Sequence, residues 1–156
     1  MRYRNRPCSL ARQLLALRLH FPAVDAHIAK SCLSWEMVLQ PTVLGEKYRV
    51  QGTLKIGKAP TVHVLSPALQ IRDGKRPEHL YGDGSLCLYM PGWGEWNDRM
   101  LLVETIVPWT CDWLAHYEVW LTTGTWFGGG RHPPTGVPAQ GRRGQVLRPR
   151  TSEKPA

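Results

Sequence analysis

Leu33-Ser34-Trp35-Glu36-Met37-Val38-Leu39-Gln40 decides the fold. Leu33, Trp35, Met37 and Leu39 point one way, and Ser34, Glu36, Val38 and Gln40 point the other, the period of a strand with one buried face. The pattern returns at Tyr48–Ile56, with Tyr48, Val50, Leu54 and Ile56 on the inner face and Arg49, Gln51, Thr53 and Lys55 on the solvated one. Gly57-Lys58-Ala59-Pro60 then reads as a turn into a third strand, Thr61–Leu65, rich in β-branched residues and closed before Pro67. Three consecutive strands with short connections predict an antiparallel meander.

The flanks change period. On the N-terminal side, Ser9 is placed to cap a helix whose apolar stripe is Leu10, Leu14, Leu17 and neighbouring Leu15, stopped by Pro22. On the C-terminal side, residues 66–85 hold Pro67, Asp73-Gly74, Pro77 and Gly82-Asp83-Gly84 without a sustained period, which predicts a long ordered loop. Such loops in small domains are usually functional. Leu86-Cys87-Leu88-Tyr89 leaves that loop and ends at Pro91-Gly92-Trp93-Gly94, setting Cys87 at a loop-to-strand junction. Asn97 is expected to cap a helix through Met100, Val103 and Val107. Pro108 separates it from a second helix bearing Trp109, Trp113, Tyr117 and Trp120, with Gly124 as terminator. No internal repeat is visible. The order predicts an α+β domain: an N-terminal helix, an antiparallel meander and C-terminal helices, in one helical layer against the sheet.

The chain of 156 residues suffices for one domain. Its boundaries are expected at 1–127, because residues 128–156 hold six Gly and five Pro with few large apolar side chains, a flexible-tail composition. The formal charge of +8 suggests nucleic acid, yet four Arg lie in residues 1–12 and six basic groups lie in residues 128–156. The foldable middle is nearly neutral, so the charge reads as solvated ends rather than a specific nucleic-acid surface. Cys8, Cys32, Cys87 and Cys111 have irregular spacing and form no CxxC pair, giving no support to a metal site or disulfide framework. The Leu-rich N-terminal stretch is broken by Arg18 and His20 and lacks a signal-peptide cleavage pattern. With no run of membrane-spanning length, a cytoplasmic protein is expected.

His79-Leu80-Tyr81-Gly82-Asp83-Gly84-Ser85-Leu86-Cys87-Leu88 resembles the active-site segment of ubiquitin-conjugating enzymes, with Asp-Gly-Ser-apolar-Cys-Leu as its informative core. That family carries a His-Pro-Asn triplet whose Asn lies eight residues before the nucleophile. Here Pro77-Glu78-His79 stands in that place, and the offset falls on His79. Trp96, nine residues past Cys87, is similar in position to the family's tryptophan, without the usual following Pro. Closer still is the similarity to conjugating-enzyme-like proteins of bacterial type II cyclic-oligonucleotide-based antiphage signalling (CBASS) systems. It is carried by Leu86-Cys87-Leu88-Tyr89, Glu95-Trp96, Pro108-Trp109, Trp113-Leu114, Tyr117-Glu118-Val119-Trp120 and Thr123-Gly124, and spans about residues 33–132. The resemblance implies a ubiquitin-conjugating-enzyme-like fold and Cys87 as thioester-forming nucleophile. It also implies a cGAS-like nucleotidyltransferase as the partner whose C-terminus is loaded, no cofactor, and conjugation that primes antiphage signalling. In the place of the family's Asn, His79 would donate to the oxyanion through its imidazole N–H. With no adenylating domain in the chain, acyl activation is expected from a separate activating enzyme or from a pre-existing bond in the partner.

Chemistry independently favours cysteine for acyl transfer to nitrogen, since a thioester both forms and discharges readily. The reading needs an exposed, ionisable thiol; its competitor is a buried structural cysteine between Leu86 and Leu88. Cys8, Cys32 and Cys111 take no chemical role, nor do His63, His20 and His27. His132 follows Gly128-Gly129-Gly130, which either folds back towards the site or leaves the last helix as a flexible exit. Those glycines have no preceding strand or following helix, so no nucleotide loop and no bound ATP are expected. The Trp-rich stretch has helical core spacing at Trp113, Tyr117 and Trp120, favouring packing over base stacking. The alternatives from other classes are a catalytically inactive adaptor and a basic nucleic-acid binder.

Overall fold

The computed structural model describes residues 6–90 and 92–128. Ser9 caps α1 (Leu10–His20), its hydroxyl accepting the Arg12 N–H at 3.2 Å. Gln13, Ala16 and Leu17 are the buried residues of α1, with Leu10 and Leu14 packed beside them. Leu15 is 59% exposed and does not belong to the stripe: the line through positions 10, 13, 14 and 17 faces the sheet and leaves Leu15 on the outer side.

Four strands follow, not three: β1 (Asp25–Ala29), β2 (Cys32–Leu39), β3 (Tyr48–Lys55) and β4 (Thr61–Ser66), antiparallel and in chain order across the sheet. β1 is joined to β2 by the two-residue turn Lys30-Ser31, whose φ values of 48° and 59° are those of the primed turn that suits the strand twist. In β2 the inner face is the expected Leu33, Trp35, Met37 and Leu39. In β3 it is Tyr48, Val50, Gly52 and Leu54, while Ile56 is 72% exposed because the strand ends at Lys55 and the chain turns there. Gly52 pairs with Trp35, and a Cβ at Gly52 would overlap the indole, so the missing side chain lets Trp35 lie across β3.

The described residues between 67 and 101 contain no helix or strand, only the isolated bridges Arg72↔Lys75 and Leu80↔Leu86. Two helices were expected after Asn97; instead, one 3-10 turn (Leu102–Glu104) leads into a single helix, α2 (Ile106–Thr123). Asn97 shapes a turn, accepting the Arg99 N–H at 3.0 Å, and caps nothing. Pro108 sits in the first turn of α2, where a backbone N–H has no intrahelical acceptor, so the ring costs no hydrogen bond. Gly124 ends α2 in the left-handed conformation (φ 80°), its N–H on the Trp120 carbonyl at 2.7 Å. The Arg72 guanidinium donates to the carbonyls of Trp120 (3.2 Å) and Leu121 (2.9 Å), capping the same end from the loop.

α1, the sheet and α2 share one apolar core. Tyr48 meets Tyr117 edge-on at 6.2 Å and donates to Glu118 at 3.0 Å, joining β3 to α2. Gln13, 1% exposed, donates to the Met100 carbonyl (2.8 Å) and accepts the Leu102 N–H (2.9 Å), so one buried amide fixes the chain just before α2. Among the described residues no helix is long and apolar enough to cross a membrane. The tail expected from residue 128 onward and His132 lie outside the described residues, apart from Gly128 itself.

Candidate active site

The Asp-Gly-Ser core of the motif is a turn. Asp83 Oδ1 accepts the Ser85 N–H (2.9 Å) and the Ser85 hydroxyl (2.6 Å), Gly84 adopts φ 83°, and the Tyr81 N–H returns to the Ser85 carbonyl at 2.9 Å. Burial pushes the Asp83 carboxyl up, but the two bonds from Ser85, helped by nearby His63, outweigh it and hold the group below its ordinary value. Leu86 N–H bonds the Val62 carbonyl at 2.9 Å, anchoring the turn to β4.

This turn folds the chain back so that the Cys87 N–H donates to the His79 carbonyl at 2.8 Å. The eight-residue offset is therefore a direct pairing in space. His79 holds φ 55°, a left-handed conformation uncommon for a residue with a side chain. Its carbonyl takes a second hydrogen bond, from the Trp113 indole N–H at 3.1 Å, tying the loop to α2. Both His79 and Cys87 line a cleft of about 400 Å³, together with Trp109, Trp113 and His116 of α2 and Trp126 beyond it.

Two expectations for Cys87 change. Among the described residues, no strand follows Leu86, and the cysteine lies in irregular backbone. The thiol is also not freely exposed: Cys87 is 9% accessible and its Sγ donates to the Tyr89 carbonyl at 3.5 Å. Burial pushes the thiol above its ordinary value; the nearby Tyr81 hydroxyl and the Tyr89 backbone pull the other way without cancelling it, and Glu95 adds to the rise. Tyr81 is itself raised, by burial first and by the adjacent thiol second. The walls around Cys87 are largely aromatic and open to solvent on the cleft side, unlike an aliphatic pocket.

Beyond Cys87, Glu95 accepts the Met90 N–H at 2.8 Å and steadies the segment that follows the cysteine. Trp96 packs on Tyr89 at 6.3 Å, and its indole N–H is buried without a hydrogen-bond partner among the described residues. Trp113, Tyr117 and Trp120 are core residues as expected, whereas Trp109 and Trp126 are half-buried cleft walls. Sequence reading passed over Tyr81, Asp112, His116 and Trp126. For α2 the signal was present: 109, 112, 113 and 116 follow helical spacing and make one face, the one that meets the cleft. For Trp126, past the terminating glycine, no pattern pointed inward. Cys8, Cys32 and Cys111 are free and half-buried, and no metal-holding cluster exists among the described residues.

The class these features define is an α+β domain with a cysteine presented from a long, hydrogen-bonded loop into an aromatic cleft against its last helix. The chain belongs to the family described as type II CBASS E2 protein, whose sequence profile matches residues 13–133. Membership gives it a conjugating-enzyme-like role in CBASS antiphage defence and implies a protein partner within that system. No match to the chain was found among curated proteins.

Proposed function

We propose that the domain is a ubiquitin-conjugating-enzyme-like fold in which Cys87 is the nucleophile of an acyl transferase and His79 its oxyanion donor. The Cys87 thiolate attacks the activated C-terminal carbonyl of a partner protein, forming the S–C bond as the activating group leaves. An amine then attacks the thioester: the N–C bond forms, the S–C bond breaks, the sulfur leaves as thiolate, and the amine's proton passes to solvent or to a base in the cleft. The His79 N–H stabilises the oxyanion of each tetrahedral intermediate. The partner is a cGAS-like nucleotidyltransferase, its acyl group supplied by a separate activating enzyme, and its conjugation primes defence signalling. The observation that supports this most is the 2.8 Å bond from Cys87 N–H to His79 O beside an open cleft.

A second reading has its own observation. The burial-raised thiol suits an inert adaptor that holds the partner's C-terminus without chemistry. The two separate on one gel series: the chain, candidate partner and activating enzyme run with and without reductant, for wild type, Cys87→Ala, Cys87→Ser and His79→Ala. Catalysis predicts a reductant-sensitive adduct, lost in Cys87→Ala and converted to a reductant-stable ester in Cys87→Ser. His79→Ala should still load and discharge about 10²–10³-fold more slowly, the value of one oxyanion donor. Binding of the partner without any adduct selects the adaptor.

A further inference from the structure

After Gly124 the chain does not run away from the body but returns, so that Trp126 closes one side of the cleft. The Trp126 indole lies 5.3 Å from Trp113, 5.5 Å from His79 and 6.0 Å from His116 between ring centroids, tilted by 57°, 49° and 42°. Gly128 follows so tightly that a Cβ there would stand 2.7 Å from Trp126 Nε1 and 2.9 Å from His116 Cδ2. A side chain at that position would push the segment off the cleft. Trp126 therefore packs against the edge of the core at Trp113 and, on its cleft side, meets two imidazoles, those of His79 and His116.

The main chain of His79 is set by φ 55° and by the two donors on its carbonyl. What those bonds leave open is rotation of the imidazole about its side-chain torsions, and the Trp126 indole is a ring it packs against. A donor aimed at a developing oxyanion is worth most when it needs no reorientation during the reaction.

We propose that Trp126 is a positioning residue for His79: the segment after α2 is a wall of the active cleft that holds the imidazole in its donating orientation. This rests on the reading of Cys87 and His79 as the reacting pair. Trp126 makes no contact with the acyl group and acts through the histidine, so its substitution should matter only while His79 is present.

The test is a double-mutant cycle on discharge of the preformed Cys87 thioester to a primary amine. Trp126→Ala should slow discharge about tenfold, within the range of couplings between touching residues. Trp126→Phe, which keeps an aromatic face, should restore most of the rate. In a His79→Ala background, Trp126→Ala should change discharge less than about twofold. An equal loss in both backgrounds, or coupling to His116→Ala but not to His79→Ala, overturns the proposal. A readout independent of activity is proton NMR of the imidazole C–H resonances, with those of His79 assigned by their absence in His79→Ala. Trp126→Phe should shift them through the altered ring current, and unchanged resonances overturn the contact. If wild type forms no thioester, the functional reading fails, while the NMR result still decides whether Trp126 orients His79. Circular dichroism on each variant identifies any that fail to fold, and Trp126→Phe carries the test if Trp126→Ala does.

Discussion

Labelling of Cys87 by iodoacetamide is expected to follow a thiol that titrates above its usual 9.0, because the thiolate is the reactive form and burial disfavours it. A thiol at that usual value is about 1% ionised at pH 7, and each further unit removes a factor of ten. The labelling rate should therefore climb about tenfold per pH unit from pH 7 to 9 without levelling off. The Tyr81 hydroxyl near the sulfur favours the ionised form. A polar interaction worth about 1 kcal/mol changes an equilibrium about fivefold, so Tyr81→Phe should reduce labelling about fivefold at fixed pH. Glu95→Gln should move it the other way, by removing a nearby negative charge. Intact-protein mass spectrometry reads the rate, with Cys87→Ala subtracting reaction at Cys8, Cys32 and Cys111. The sign carries over to folding: a thiol whose folded value is raised contributes stability that is complete below the unfolded value and is lost as pH rises through the folded one. A rate plateau below pH 8.5, or faster labelling in Tyr81→Phe, would refute the idea that burial and Tyr81 set the ionisation.

Two further outcomes concern the scaffold. Gly52→Ala drives a methyl group into the Trp35 indole, where even the farthest of the three nearest atoms, Cη2, would stand 2.6 Å away. Trp35 is 2% exposed and has nowhere to retreat, so urea denaturation should show a loss of about 2–3 kcal/mol, and an unchanged midpoint would contradict the packing. Gln13→Leu keeps the volume but leaves the Met100 carbonyl and Leu102 N–H without their partner. The loss should be about 2–5 kcal/mol in thermal or urea unfolding, and a variant as stable as wild type would show that the amide is dispensable.

What could be read without coordinates was what one side chain at a time encodes. β2 and β3 alternate cleanly, and Ser9 and Gly124 are strong start and stop signals, so both strands, the start of α1 and the end of α2 fall where expected. β1 was missed because only Ala26 of its five residues is buried, leaving no alternation to see. Its turn, moreover, uses Lys30-Ser31 in place of the Asn-Gly type that announces such hairpins. Pro108 was taken as a breaker because its place relative to the true helix start, Ile106, depends on the 3-10 turn before it. The offset between His79 and Cys87 was legible from the resemblance, but the burial of the thiol was not. That burial comes from Tyr81, Tyr89 and the α2 aromatics, which converge only in three dimensions.

The carbonyl oxygen of His79 is a hub: it accepts one hydrogen bond from the Cys87 N–H and another from the Trp113 indole N–H on α2. Cys87, the backbone of His79 and α2 thereby meet at a single atom. A shift of α2 would therefore reach the backbone of both loop residues through that one oxygen.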